Sequence, residues 1–116
     1  MSVDERRRIF SKWLAKEMNE RGWSQSDLAQ ASNLHRAVIN KLLQNKYLPH
    51  TDSLIAISHG LSVPVEASFR AAGLLPPVSD EDEFLEEAVY LLRTIQNAER
   101  RETAVALLKV LATKEQ

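Results

Sequence analysis

A chain of 116 residues with 44 % hydrophobic and 27 % charged residues and a net charge of −1 has the composition of one small globular domain, or of one domain with an appendage. No apolar run approaches the ~18 residues of a membrane span, and the basic cluster in MSVDERRRIF lacks the apolar stretch of a signal peptide. The absence of cysteine excludes disulfides and thiolate zinc sites, and makes a reducing cytoplasm the expected compartment.

The predicted elements are all helical. Ser2 and Glu5 have capping-box spacing, and Ile9, Trp13, Leu14 and Met18 follow at helical intervals until Arg21-Gly22, where glycine supplies a left-handed stop. Ser24 and Asp27 open a short second helix that turns Leu28 and Ala29 inward and runs to about Ala31. Ser32-Asn33-Leu34 reads as a turn, with Asn33 left-handed and Leu34 entering the core. A third helix starts at His35 or Arg36, buries Ile39 and Leu42, and stops near Asn45. A fourth opens at Thr51 or Asp52 on the stripe Leu54, Ile57 and Leu61. Pro64 begins a fifth, with Val65, Phe69 and Ala72 carrying it to Gly73.

Leu74-Leu75-Pro76-Pro77 is the clearest boundary, separating an N-terminal domain over 1–76 from a segment over 77–116. The acidic run Ser79–Glu83 suits a helix N-terminus, where negative charge opposes the positive end of the dipole. Phe84, Leu85, Ala88, Val89, Leu92 and Ile95 form the stripe of a sixth helix, and Asn97 caps a seventh bearing Val105, Leu108 and Leu111. Two such helices are too apolar to stand alone. They require cover from the N-terminal domain, from a second copy, or from both.

Dividing the charge at that boundary changes its meaning. Residues 1–76 hold ten Lys/Arg and seven Asp/Glu, or +3, whereas 77–116 hold five and nine, or −4. Attraction to phosphate acts over about a Debye length of ~8–10 Å, so the local +3 matters more than the total.

The second and third helices with their short turn have the form needed to present a rigid helix with a free outer face. Leu28, Ala29, Leu34, Ile39 and Leu42 make the inner side, while Arg36, Ala37, Asn40, Lys41 and Gln44 point outward with no acid among them. The stretch WSQSDLAQASNLHRAVINKLLQNKYLP resembles the phage-repressor helix-turn-helix family (Cro/C1-type, XRE-type), and the resemblance extends over about residues 8–76. It departs from the family pattern at Asn33 for glycine, His35 for Ser/Thr, Ser32 for an apolar residue, and Leu43 for a frequent Glu. Leu43 is expected to pack toward the first helix or the C-terminal helices.

That resemblance implies an all-α fold: a five-helix lambda-repressor-like DNA-binding domain followed by a two-helix C-terminal extension. It implies base contacts from Arg36, Ala37 and Asn40, flanked by Val38 and Lys41. Arg36 has the chemistry for guanine O6/N7, Asn40 for adenine, and Ala37 or Val38 for a thymine methyl. Gln25, Gln44, Asn45, Lys46 and Tyr47 then fall to phosphate contacts that set register, with Gln25 also bracing the start of the recognition helix.

Other readings of these residues are plainer. His35, His50 and His59 lack metal-ligand spacing. Trp13 and Trp23 read as core. Arg6-Arg7-Arg8 reads as a solvated face, with a minor-groove arm as the alternative. The Asp80–Glu87 run has no calcium-loop pattern. No G-x-S-x-G or phosphate-cradling glycine loop is present, so no enzyme, metal or cofactor is expected.

The expectation is a cytoplasmic transcriptional repressor that binds duplex DNA as a homodimer. Its pairing would run through Phe84, Leu85, Val89, Leu92, Ile95, Val105, Leu108 and Leu111. The competing reading is a protein-interaction module on the same scaffold, antitoxin-like, with weak or no DNA binding. A regulator sensing a small ligand at a dimer interface is a third.

Overall fold

The described residues, 2–115 of a computed structural model, form seven α-helices and no strand. These are α1 (Val3–Arg21), α2 (Gln25–Ser32), α3 (Arg36–Leu43), α4 (Thr51–Leu61), α5 (Val65–Ala71), α6 (Asp80–Thr94) and α7 (Ala98–Lys114). The chain divides into two units, Met1–Ser79 and Asp80–Gln116.

In the first unit each helix is started and stopped by local chemistry. Ser2 Oγ accepts from Glu5 N–H to open α1, and Gly22 at φ 67° closes it. Both arms of the capping box at α2 are made: Asp27 N–H donates to Ser24 Oγ and Ser24 N–H to the Asp27 carboxylate. Asn33, Asn45 and Ser62 take left-handed conformations at φ 58°, 62° and 57°, so three of the stops are made without glycine.

The core joins all five helices. Phe10, Leu14 and Met18 of α1 meet Leu28 and Ala29 of α2, Ile39 and Leu42 of α3, and Leu54, Ile57 and Leu61 of α4, with Val63 and Ala72 closing it around α5. Fully burying one such side chain contributes about 1.5–3 kcal/mol. The α1 register differs from the expected one: Phe10 is the buried member and Ile9 is 44 % exposed. The seam that meets the other helices is Phe10–Leu14–Met18, four residues apart, which turns Ile9 outward by about 100°. Trp13 and Trp23 are half-buried against the core rather than within it. Leu43 packs against the same core, and its carbonyl accepts from Ser11 Oγ at 3.2 Å, so α1 is its neighbour.

Polar groups bind these helices at their ends. The Arg6 guanidinium donates twice to the Ala72 carbonyl, from Nη2 at 2.8 Å and Nε at 3.2 Å, tying α1 to the end of α5. Arg7 is half-buried with Asp4 at 3.7 Å, and only Arg8 of the basic triplet is exposed. Neither expected reading of that triplet therefore holds for Arg6. Arg21 donates to the Glu17 carboxylate at 2.8 Å and to the Leu61 carbonyl at 2.8 Å, and lies over the Trp23 ring at 5.8 Å. One side chain thus joins the end of α1 to the end of α4. Ser58 and Ser68, both fully buried, satisfy each other: Ser58 Oγ donates to Ser68 Oγ at 2.7 Å, and Ser68 Oγ lies 3.0 Å from the Val65 carbonyl.

The second unit has another character. The side chain of Asn97 caps α7 through Arg100 N–H, and Arg101 donates to the Ile95 carbonyl across the joining residues. Four acids occupy the first turn of α6. Neither helix contains a buried residue. Phe84, Leu85, Val89, Val105, Leu108 and Leu111 are exposed, and Leu92 and Ile95 are half-buried. No helix among the described residues is long and apolar enough to cross a membrane.

Candidate nucleic-acid interface

The turn between α2 and α3 fixes the direction of α3. Asn33 ends α2 in the left-handed conformation, and Leu34 N–H then donates to the Ala29 carbonyl at 3.1 Å. Ser32, at a position where an apolar residue is usual, is buried with its hydroxyl donating to the Leu28 carbonyl at 2.7 Å. The polar substitution is therefore internally satisfied. On the far side of α2, Gly60 of α4 comes so close that a Cβ there would lie 2.9 Å from Ser32 N. Only a glycine lets α4 seat the end of α2 this tightly.

With Ile39 and Leu42 buried, α3 can turn only its opposite side outward. Arg36, Ala37, Asn40, Lys41 and Gln44 lie within an arc of about 140° at 100° per residue. All are exposed except Asn40, which is half-buried. Asn40 Nδ2 donates to Gln25 Oε1 at 3.1 Å, so two residues fifteen positions apart meet directly. Gln25 thereby braces the middle of α3 rather than its start. The bond uses one hydrogen of the Asn40 amide, which has a second hydrogen and the Oδ1 acceptor besides.

The remaining predicted residues divide. Asn45, left-handed at φ 62°, and Lys46 are exposed on the turn that follows α3, where Lys46 N–H donates to the Lys41 carbonyl at 3.1 Å. Val38 and Tyr47 are half-buried and packed on the core, so they are not part of the open face in the way that Arg36 and Lys41 are. Sequence reasoning overlooked Ser11, whose hydroxyl anchors the last turn of α3 to α1; a serine on a helix gives no signal of that role.

The electrostatics of the face follow from composition. Between Leu28 and Thr51 the chain has no Asp or Glu but contains Arg36, Lys41 and Lys46. The acid just before this stretch, Asp27, is engaged in the α2 cap. A rigid helix with a basic, amide-bearing outer face is suited to hydrogen-bonding base edges between phosphates. Among the described residues, no group of three His, Cys, Asp or Glu could hold a metal ion.

A helix-turn-helix family model matches residues 14–67, from within α1 to the start of α5. Over these residues the chain is similar to the Cro/C1-type (XRE) helix-turn-helix family. The helix-turn-helix proper is α2–turn–α3, with α1, α4 and α5 packed around it, and domains of this family are DNA-binding modules of regulators. No match to curated proteins or to solved structures was found. Helices α6 and α7 lie outside the matched helix-turn-helix segment.

Proposed function

We propose that this protein is a sequence-specific repressor that binds duplex DNA as a homodimer, inserting α3 into the major groove. The observation that carries the reading is the outer face of α3, where Arg36, Ala37 and Lys41 are exposed and Asn40 is held by Gln25. Arg36 reads guanine, Asn40 reads adenine, and Ala37 touches a thymine methyl, with Val38 contributing at the edge of the face. Each good bidentate contact is worth about 1–3 kcal/mol of discrimination. Gln25, Gln44, Asn45, Lys46 and Tyr47 fix the register on phosphates.

One recognition helix reads too few base pairs to define a genomic site, so two copies bind half-sites about one helical turn, ~34 Å, apart. The apolar residues of α6 and α7 hold the pair together, and repression follows from occupying a promoter. Selection of bound duplex from a random pool, followed by footprinting, tests this. An inverted repeat is expected, and the Arg36→Ala/Lys41→Ala variant should lose retention while keeping its helix content. Failure to enrich any sequence at low salt overturns the reading.

A second reading, a module that binds another protein with little DNA affinity, is favoured by the −4 charge of residues 77–116 and the exposed apolar side chains there. Under it, the double variant would leave the protein's biological effect unchanged.

A further inference from the structure

Three residues, 95–97, join α6 to α7, a length that ordinarily folds two helices into an antiparallel hairpin. Here the two helices do not pack side by side along their lengths. Each consequently keeps its apolar face open, and no side chain of either is buried. Isolated helices of 15 and 17 residues are marginal in water without a packed face.

The two faces differ in breadth. At 100° per residue, the large apolar side chains of α6 span about 160° and those of α7 about 220°, against the ~100° stripe that one neighbour covers. Helix α7 is therefore built to be covered from more than one direction.

Charge selects what covers them. Helix α6 carries six acids and Arg93, a net of −5, whereas α7 carries four bases and two acids, a net of +2. An α6 beside another α6 sets −5 against −5, while an α6 beside an α7 is complementary. The exposed area fits the same partner. Nine large apolar side chains of this unit are 43–71 % exposed. At roughly 100 Å² for a fully buried side chain they amount to about 450 Å² per chain. Apolar atoms supply a little over half of the ~800 Å² that each partner buries in a stable interface.

Resting on the homodimer reading above, we infer that two copies exchange their C-terminal helices, α6 of each lying against α7 of the other. The pair is intertwined rather than two finished hairpins in contact. Helices α6 and α7 fold as the dimer forms, and the first unit folds independently of them.

The lack of cysteine makes this directly testable in the full-length chain. Ala88→Cys and Leu108→Cys sit near the middles of α6 and α7, so they face each other in either helix direction. Chains carrying one each, distinguished by a tag, are mixed, unfolded and refolded together, then treated with a short bifunctional thiol reagent. Exchange predicts a mixed covalent dimer, and the doubly substituted chain also links into dimers. A doubly substituted chain that closes on itself at monomer mass overturns exchange, as does efficient linking of Ala88→Cys chains to one another.

Sedimentation equilibrium of the same samples separates the two readings. A dimer with intrachain links defeats exchange alone, whereas a monomer at every concentration defeats the homodimer as well. Both tryptophans, Trp13 and Trp23, lie in the first unit, so unchanged tryptophan emission shows that the substitutions leave it folded. Dilution through the dimer midpoint should lower helical ellipticity without altering that emission. Ellipticity independent of concentration while the dimer dissociates overturns the coupling.

Discussion

Gly60→Ala is a one-methyl perturbation whose effect can be worked from distances. The added Cβ would lie 2.9 Å from Ser32 N, 3.0 Å from Ser32 Cα and 3.1 Å from Ala31 C. All three are backbone atoms of α2 and cannot rotate away. Optimal carbon contacts fall at about 3.5–4.0 Å, so α4 and α2 must part by roughly 0.5–1 Å along their tightest approach. Overpacking of this kind costs about 1–3 kcal/mol, and alanine returns about 1 kcal/mol of helix propensity. With three backbone contacts the loss prevails, leaving a net destabilisation of about 1–2 kcal/mol. For a domain of this size that lowers the melting temperature by about 5–15 °C. Thermal unfolding followed by Trp13 and Trp23 fluorescence measures it. Gly22→Ala is the control: nothing lies within 4 Å of its Cβ, but φ is +67°, so its cost comes from backbone strain alone. A Gly60→Ala protein that melts at or above the parent temperature refutes the close-approach argument.

Two further predictions concern hydrogen bonds. In a double-mutant cycle on duplex binding, Gln25→Ala and Asn40→Ala should be coupled by about 0.5–1.5 kcal/mol, because one bond orients the Asn40 amide; additivity would sink that role. Ser68→Ala should cost about 1–3 kcal/mol by removing the acceptor of the fully buried Ser58 hydroxyl. Ser58→Ala should cost less, since Ser68 keeps the Val65 carbonyl as an acceptor. Urea denaturation ranks the pair, and equal losses would contradict this assignment.

Much of the first unit was legible because its signals are local. Ser24 with Asp27, the stop at Gly22, and the left-handed Asn33 are each decided within a few residues by hydrogen bonds or sterics. What the sequence hid depends on distant partners. Ile9 and Phe10 are equally compatible with a helical stripe, and only the placement of the helices packed on α1, chiefly α3 and α5, selects Phe10 for burial. Arg6 reads as a surface charge until the Ala72 carbonyl, 66 residues away, is brought to it. Ser62 resembles a cap or loop residue, yet it is a left-handed stop held by its Val63 N–H to Ser58 carbonyl bond. At the candidate site, the outward set on α3 followed from helical spacing. The Gln25–Asn40 bond needed the angle between α2 and α3, which no local pattern specifies. The stripes of α6 and α7 were visible from periodicity, but their failure to cover one another was not.

The use of Arg6, Arg7 and Arg21 inside the fold bears on how the protein competes for sites in a genome. Their guanidiniums bind the Ala72 carbonyl, the Asp4 carboxylate, and the Glu17 carboxylate with the Leu61 carbonyl. The cations left on the reading face are few: Arg36, Lys41 and Lys46. Non-specific affinity scales with the phosphates neutralised, each adding about 0.9 to the salt slope. On the proposed reading, bulk duplex therefore holds this protein weakly. A small cellular supply would then not be soaked up by the ~10⁶–10⁹ competing positions of a chromosome, and occupancy would be decided by the base contacts proposed for α3.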